Sequence, residues 1–400
     1  MKHSEMAHTK TIGLVLSSVP KYSETFFRNK IKGLQAAGYK VILFVDYGSN
    51  DENAFSCDVV KAPRFNRNKR SLLLQSLQIV CKSLLSHPRS TFLHYRLDRR
   101  DGMSFSQALK NLIRNEHLLR KKVNWLHFGF GILARQRENV AQAIGAKFAV
   151  SFRGYDLYLS PLKRPNCYDI LFTKDVQYHV LSNEMKDALK THNIKSEKIQ
   201  VITPAIDVNL FQRSHSKKRG AALKFVTVAR LHWKKGLEYT LEALAILKDQ
   251  KIDFEYTIIG EGAEKERLLF AAYQLGLTNH IKFTGKIAQT EVRNHLEQAD
   301  VYIQYSIQEG FCNAVLESQA MGLLTIVSNA EGLSENVIHE QTGWVVPKRQ
   351  PKRLAEAIEM VLGLDQEKKQ KIQRAATDRV KEQFNLTKQN NEFLNFYAGS

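Results

Sequence analysis

Short apolar runs alternate with stretches of helical periodicity along the whole chain. TIGLVL (11–16) and VILFV (41–45) read as buried strands, and between them Phe27, Ile31 and Leu34 recur at helical spacing before Gly38. The same alternation continues. Further strands are predicted at 125–128, 148–152, 176–181, 199–202, 223–229, 254–259, 281–284, 301–305 and 324–327, with helices at 71–85, 107–122, 184–191, 313–321, 355–362 and 366–397. Strand–helix alternation of this kind predicts an α/β fold with doubly wound parallel sheets. The polar stretch QRSHSKKRG (212–220) reads as a linker. The expected division is a first domain over 1–205 and a second over 206–375. A final helix, 376–400, would return to the first domain through Phe384, Phe393, Phe396 and Tyr397.

Composition narrows the picture. Four hundred residues exceed one ordinary core, and 43% hydrophobic with 25% charged residues is a globular balance. No run reaches the ~20 apolar residues of a spanning helix, and the first ten residues lack an apolar signal core, so the expectation is a cytoplasmic protein. Cys57, Cys81, Cys167 and Cys312 show no pairing at metal or redox spacing, which points to reduced thiols and no structural zinc. The charge is uneven. Residues 1–200 hold 33 Lys/Arg against 16 Asp/Glu, a net of +17, whereas the remainder holds 26 against 24, a net of +2. A basic half suits an anionic bilayer or another polyanion. Zinc-finger, RNP and helix-turn-helix signatures are missing, so the membrane surface is preferred to nucleic acid. The helices at 71–85 and 107–122 either cover a sheet or lay a basic amphipathic face on lipid.

The richest chemistry lies in 300–347. There a strand ends at Gln308-Glu309-Gly310, and Asn313 is placed to cap a helix that Gly322 stops. On one continuous helix Glu309 and Glu317 would stand about 80° apart. With a loop at 308–312 they instead flank an open helix N-terminus, whose free amides favour a phosphate. Each carboxylate can then accept bonds from hydroxyls. Upstream, the strand 223–229 delivers Arg230 and then Lys235 before another helix start, a fork and a point charge suited to a diphosphate. His127 ends a strand where such sheets meet ligand, and reads either as a titrating group there or as a core histidine. Gly260-Glu261-Gly262 has no third glycine in register, so a nicotinamide dinucleotide is not indicated.

E-G-F-x-N-A-x-L-E resembles the E-x7-E motif of family 4 glycosyltransferases, which are retaining enzymes of GT-B architecture. The resemblance implies two Rossmann-like domains facing one another across a cleft, the first for acceptor and the second for a nucleotide-sugar. By that likeness Glu317 would hold the ribose hydroxyls and Glu309 the donor sugar. The amides of Gly310, Phe311, Cys312 and Asn313 would meet the diphosphate. R-L-x-x-K-K-G-L-E is similar to the family's diphosphate loop, which gives Arg230 and Lys235 that role. Gly285-Lys286-Ile287 matches a segment whose backbone meets the nucleobase, so Ile287 joins the donor set. His127 matches a histidine lining the sugar pocket, and the resemblance counts it with Glu309, Arg230 and Lys235 as catalytic. Pro20, Ser23, Glu24 and Thr25 resemble the opening of a subgroup that builds exopolysaccharide and lipopolysaccharide, without the paired glycines of many members. The loop reads equally as a helix cap at Ser23. Arg153-Gly154-Tyr155-Asp156 is similar to an H-G-x-D motif with arginine replacing histidine. Arg153 cannot relay protons near neutrality but can hold an anionic group of donor or acceptor. The implied reaction needs no metal or resident cofactor. It would transfer a hexosyl unit, from a UDP-sugar by preference, to a saccharide acceptor on a lipid at the inner face of the plasma membrane. The alternatives are a non-catalytic polyanion-binding protein on a degenerate scaffold, and a phosphorylase-like enzyme, for which no cofactor lysine is evident.

Overall fold

The computed structural model describes residues 10–20, 24–47, 57–65, 68–213 and 222–399, with residue 69 as backbone only. The chain forms two compact units. One comprises residues 1–180, 185–202 and 390–400, the other residues 181–184 and 203–389.

The first unit is built on β1 (Thr11–Ser18), β2 (Lys40–Tyr47), β3 (Asp58–Lys61), β4 (Trp125–Phe128), β5 (Lys147–Ser151), β6 (Gln177–Val180) and β7 (Ile199–Val201). Its order is β3-β2-β1-β4-β5-β6-β7, and every pair is parallel. Continuous apolar strands such as VILFV are buried on both faces, as a helix-covered parallel sheet requires. Ile12, Leu14, Phe27, Ile31, Leu34, Val41 and Leu43 form a core that the chain's last residues Phe393, Phe396 and Tyr397 complete. The order reverses direction between β1 and β4, so the loops leaving these two strands flank a switch point, where open α/β sheets take ligands.

The second unit holds β8 (Leu223–Val228), β9 (Phe254–Ile259), β10 (Ile281–Gly285), β11 (Val301–Gln304), β12 (Leu324–Ser328) and β13 (Trp344–Val346), in the order β10-β9-β8-β11-β12-β13, again all parallel. Here the switch point falls between β8 and β11.

Three features depart from the sequence pattern. A helix at Pro88–Arg100 has no apolar stripe, because the face it buries consists of Thr91, His94, Leu97 and Asp98. Hydrogen bonds hold it instead: Asn111 and Asn139 both donate to the Asp98 carboxylate, at 2.8 and 2.9 Å. The stretch expected as one helix over 366–397 is two, Gln366–Gln383 and Leu386–Ala398. The first of these belongs to the second unit, so the return to the first unit begins at Asn390 and not at 376. Hydrogen bonds explain the shift, since Gln373 donates to the Gly322 carbonyl (2.7 Å) and Thr377 to that of Gln319 (2.9 Å).

Candidate active site

The second unit's site is assembled by what leaves the carboxyl ends of β8 and β11. After β8 come Arg230 and a single 3₁₀ turn, Trp233–Lys235, closed by Gly236 at φ +61°. A Cβ on Gly236 would stand 2.2 Å from the Tyr305 carbonyl oxygen, so only glycine lets this turn lie against the end of β11. The Lys234 carbonyl then accepts from the amides of Ile307 (2.7 Å) and Gln308 (3.2 Å). This backbone latch sets Lys235 beside Glu309, and their side chains form an ion pair. Both are largely buried, with 13% and 14% of the side chains exposed. Burial works to lower the Lys235 ammonium, but the Glu309 carboxylate, Cys312 and the hydrogen bond to Glu309 outweigh it, and the group is held above its ordinary value.

The loop carrying Glu309 is clamped from its far side. Its amide donates to the Glu331 carboxylate (3.0 Å), and its carbonyl accepts from Gly332 (3.2 Å). Glu331 is itself paired with Lys348. Asn336 bonds both the amide and the carbonyl of Cys312, at 3.0 and 3.2 Å. The amides of Gly310, Phe311 and Asn313 have no acceptor among the described residues. Asn313 opens the helix Asn313–Ala320 but is not its cap. Cys312 holds that position, and no side chain bonds the first turn, because Asn336 has taken over fixing the loop. The Cys312 thiol is pushed up to about 12 by burial and by the Glu309 charge, so it is a neutral packing group.

Glu317 sits one turn inside this helix, half-buried and without a hydrogen-bond partner among the described residues. Burial raises its carboxyl to about 7. Arg230 is exposed and likewise has no carboxylate partner. Lys234 adds to the positive cluster, and His232 stands beside it as a neutral imidazole. Burial lowers both, and Arg230 and Lys235 lower each of them further. The unit therefore brings together Arg230, Lys235, Glu309, open amides and Glu317 at one switch point. A diphosphate held by the cations and amides would have a carboxylate within reach of its sugars. Ile287 follows β10, farther along the same carboxyl edge, and is half-buried.

Several members of this site lay outside the sequence reading. Glu331, Gly332 and Asn336 act from after β12, a register that only the sheet order reveals. Gln308 is 8% exposed, and both ends of its amide lack a partner among the described residues. A glutamine before a glutamate in a loop gives no signal that it will be buried.

In the first unit the expected residues divide. His127 is fully buried and exposes no ring atom for a proton-carrying role. Its Nε2 lies 2.7 Å from Ser151 Oγ, which lies 2.8 Å from His179 Nδ1, and His179 Nε2 lies 3.1 Å from the Ile202 carbonyl. A carbonyl only accepts, and burial keeps both histidines neutral. The direction of the chain follows. His179 Nε2–H donates to Ile202, Ser151 donates to His179, and His127 Nε2–H donates to Ser151. That leaves His127 Nδ1 to accept, from the Tyr397 hydroxyl at 2.6 Å and with Lys30 Nζ 3.3 Å from the same nitrogen. The strand-end histidine is thus a core group, because the last helix covers it.

Arg153 fares differently. Its guanidinium lies 4.2, 4.9 and 5.5 Å from the rings of Phe26, Phe27 and Phe130, and its Nε and one terminal nitrogen have no partner among the described residues. Burial lowers it to about 10, against the pull of Asp156 and Glu24, so it stays charged. Asp156 is raised to about 6 by burial, accepts from the Ile132 amide at 3.2 Å, and keeps one oxygen unbonded. It stands in a π-helical turn, Tyr155–Leu159, a local strain often found at functional sites. Glu24 precedes the helix Thr25–Ala36 as its cap residue without a side-chain cap bond, and Thr25 is its first residue. Ser23 lies outside the described residues. A hollow of about 760 Å³ is lined by Trp125, Lys147 and Gln177, which begin β4, β5 and β6, so it opens at the opposite edge from these loops.

Comparison with known proteins bears on the fold and on what the chain resembles. Residues 209–379 match the family model described as Glycosyl transferases group 1. The chain is 28% identical over 355 residues to the amylovoran biosynthesis glycosyltransferase AmsK of Erwinia amylovora, covering 84% of this chain and 86% of that one. It is 25% identical over 390 residues to the putative colanic acid biosynthesis glycosyltransferase WcaL of Escherichia coli (strain K12), covering 94% and 96%. Among solved structures, a glycosyltransferase from Rickettsia africae ESF-5 superposes with a TM-score of 0.70 at 20% identity, over 98% of both chains. Anabaena Alr3699/HepE in complex with UDP does so with 0.71 at 14%, over 98% and 100%. The two parallel-sheet units therefore have the GT-B fold. Residues 209–379 thus resemble a group 1 glycosyltransferase domain, and the chain as a whole is similar to glycosyltransferases named for amylovoran and colanic acid biosynthesis.

Proposed function

We propose that this chain is a retaining glycosyltransferase that moves a hexosyl unit from a nucleotide-sugar to a saccharide acceptor in cell-surface polysaccharide biosynthesis. The observation that carries the reading is the set of unused groups at the β8/β11 switch point. Arg230 has no carboxylate partner, Glu317 has no hydrogen-bond partner, and the amides of Gly310, Phe311 and Asn313 have no acceptor among the described residues. A nucleoside diphosphate-sugar uses all of them. Arg230, Lys235 and the amides meet the negative charge that develops on the departing diphosphate, which is the largest kind of catalytic term in such sites. Glu317 accepts from ribose hydroxyls. Glu309, with one carboxylate oxygen taken by Lys235, offers the other to the sugar. No side chain of the second unit stands out as a covalent nucleophile, so we favour front-face displacement assisted by the leaving phosphate. The cations and helix amides make a divalent ion unnecessary in this scheme.

UDP is the first nucleotide to test, because HepE was solved with it. The acceptor is taken to be lipid-linked and the enzyme peripheral on the inner face of the plasma membrane, a reading supported by the +17 excess of residues 1–200. In this scheme the first unit receives the acceptor, with Arg153 on an anionic group, and His127 supports the ends of β4 and β5 without touching substrate. A thermal-denaturation panel of UDP-, GDP- and ADP-sugars tests the donor. A raised midpoint with one of them, followed by transfer with retained anomeric configuration by NMR, is expected. No shift with any of them and no transfer would overturn the reading.

A further inference from the structure

The helix Lys69–Ser86 rests on the helices Pro88–Arg100 and Phe105–Leu119 along one side and leaves the other side uncovered among the described residues. Among its residues 70–86, whose side chains are described, one, Ser83, is buried. Yet its sequence is apolar, and Leu72, Leu73, Leu74, Leu77, Leu84 and Leu85 stand 42–85% exposed. At ~100° per residue, Leu73, Leu77 and Leu84 fall within about 40° of one another, and Leu74 and Leu85 border them on one side. Water-exposed leucines in this density along one face are an interaction surface, since scattered ones would need no explanation. The electrostatics of the segment say what it meets. Residues 59–97 contain eight Lys/Arg and no Asp or Glu. Arg70, Lys82 and Arg89 are exposed on or directly after the helix.

We propose that the helix Lys69–Ser86 is the element that seats this enzyme on an anionic bilayer, lying in the plane of the headgroups with its leucines among the acyl chains. This rests on the membrane-surface reading above and adds the surface responsible. An acid-free cationic segment fits a sheet of lipid phosphates, while a protein partner would need its own acidic counterpart. The leucine face supplies the apolar depth, and Arg70 at the amino end reaches back to the headgroups along its own aliphatic stem.

Cys81 lies at the border of the leucine face and is exposed, whereas Cys167 and Cys312 are buried. It is a native reporter once Cys57 is changed to serine. An environment-sensitive fluorophore on Cys81 of the full chain should blue-shift with phosphatidylglycerol vesicles and not with phosphatidylcholine vesicles. The triple variant Leu73→Gln, Leu77→Gln, Leu84→Gln should weaken vesicle binding by roughly tenfold for each leucine. Its midpoint shift with nucleotide-sugar should match the wild type, which shows that the variant folds. Failure of the wild type to bind vesicles would remove both this proposal and the membrane-surface reading. Undiminished vesicle binding by the triple variant, or no fluorophore shift, would overturn the helix assignment and leave the reading standing. Self-association of the wild type in sedimentation velocity, lost in the triple variant and without vesicle binding, would make the face a contact between copies and overturn the proposal.

Discussion

Two carboxylates in the second unit illustrate how environment divides labour among like residues. Glu309 is tied to Lys235, clamped through its backbone by Glu331 and Gly332, and fixed in place before any ligand arrives. Glu317 has only the helix behind it, and burial lifts it to about 7. Glu317→Ala should therefore raise donor KM strongly while leaving kcat less affected. Lys235→Met should chiefly lower kcat, by roughly a hundredfold, as loss of one charge-stabilising donor costs about 3 kcal/mol. Initial-rate kinetics separates the two, and near-wild-type constants in both variants would dismiss the site. The Glu317 pKa carries its own consequence. As an acceptor it must be ionised, so donor kcat/KM should rise as pH climbs through about 7, and Glu317→Gln should flatten that limb. Stability runs the other way. The folded carboxyl titrates above its ordinary 4.5, so its contribution to stability is whole below 4.5 and is lost as pH rises to about 7.

Elements meet their neighbours through single contacts that substitution can probe. The 3₁₀ turn after β8 can lie on the end of β11 because Gly236 adopts φ +61° and has no Cβ to strike Tyr305. Gly236→Ala should lower the melting temperature and raise donor KM together, because the strain, of order 1–3 kcal/mol, displaces Lys235 as well. Unchanged KM would mean that the turn does not position the cation. In the first unit the last helix donates its Tyr397 hydroxyl to His127. Tyr397→Phe removes one of the two donors facing that buried acceptor, Lys30 Nζ at 3.3 Å being the other, at a cost of about 1 kcal/mol. Calorimetry should show a lower melting temperature, with the nucleotide-sugar shift retained in size. A variant that lost donor binding instead would place Tyr397 in the chemistry.

At the scale of the molecule, the proposed chemistry replaces a metal with fixed cations and helix amides, so transfer should continue unchanged in excess EDTA. Loss of the rate on chelation, restored by a divalent ion, would refute that part of the scheme. The parallel, doubly wound class was legible in the sequence because buried strands such as TIGLVL and VILFV carry their own signal. The candidate site was legible too, because Arg230, Lys235, Glu309 and Glu317, which the fold gathers at the β8/β11 switch point, lie close to strand ends that periodicity marks. The helix Pro88–Arg100 was not legible, since its buried face is polar, nor was the boundary at 389/390, which hydrogen bonds to Gly322 and Gln319 displace. His127 shows the division most clearly. The sequence by itself determined that it ends a strand, since local propensity and pattern suffice for that. Only the tertiary structure decided that a helix 270 residues away covers it, and likewise that Glu331, Gly332 and Asn336 clamp the Glu309 loop. Burial and long-range pairing depend on which surfaces meet, and no local pattern encodes that.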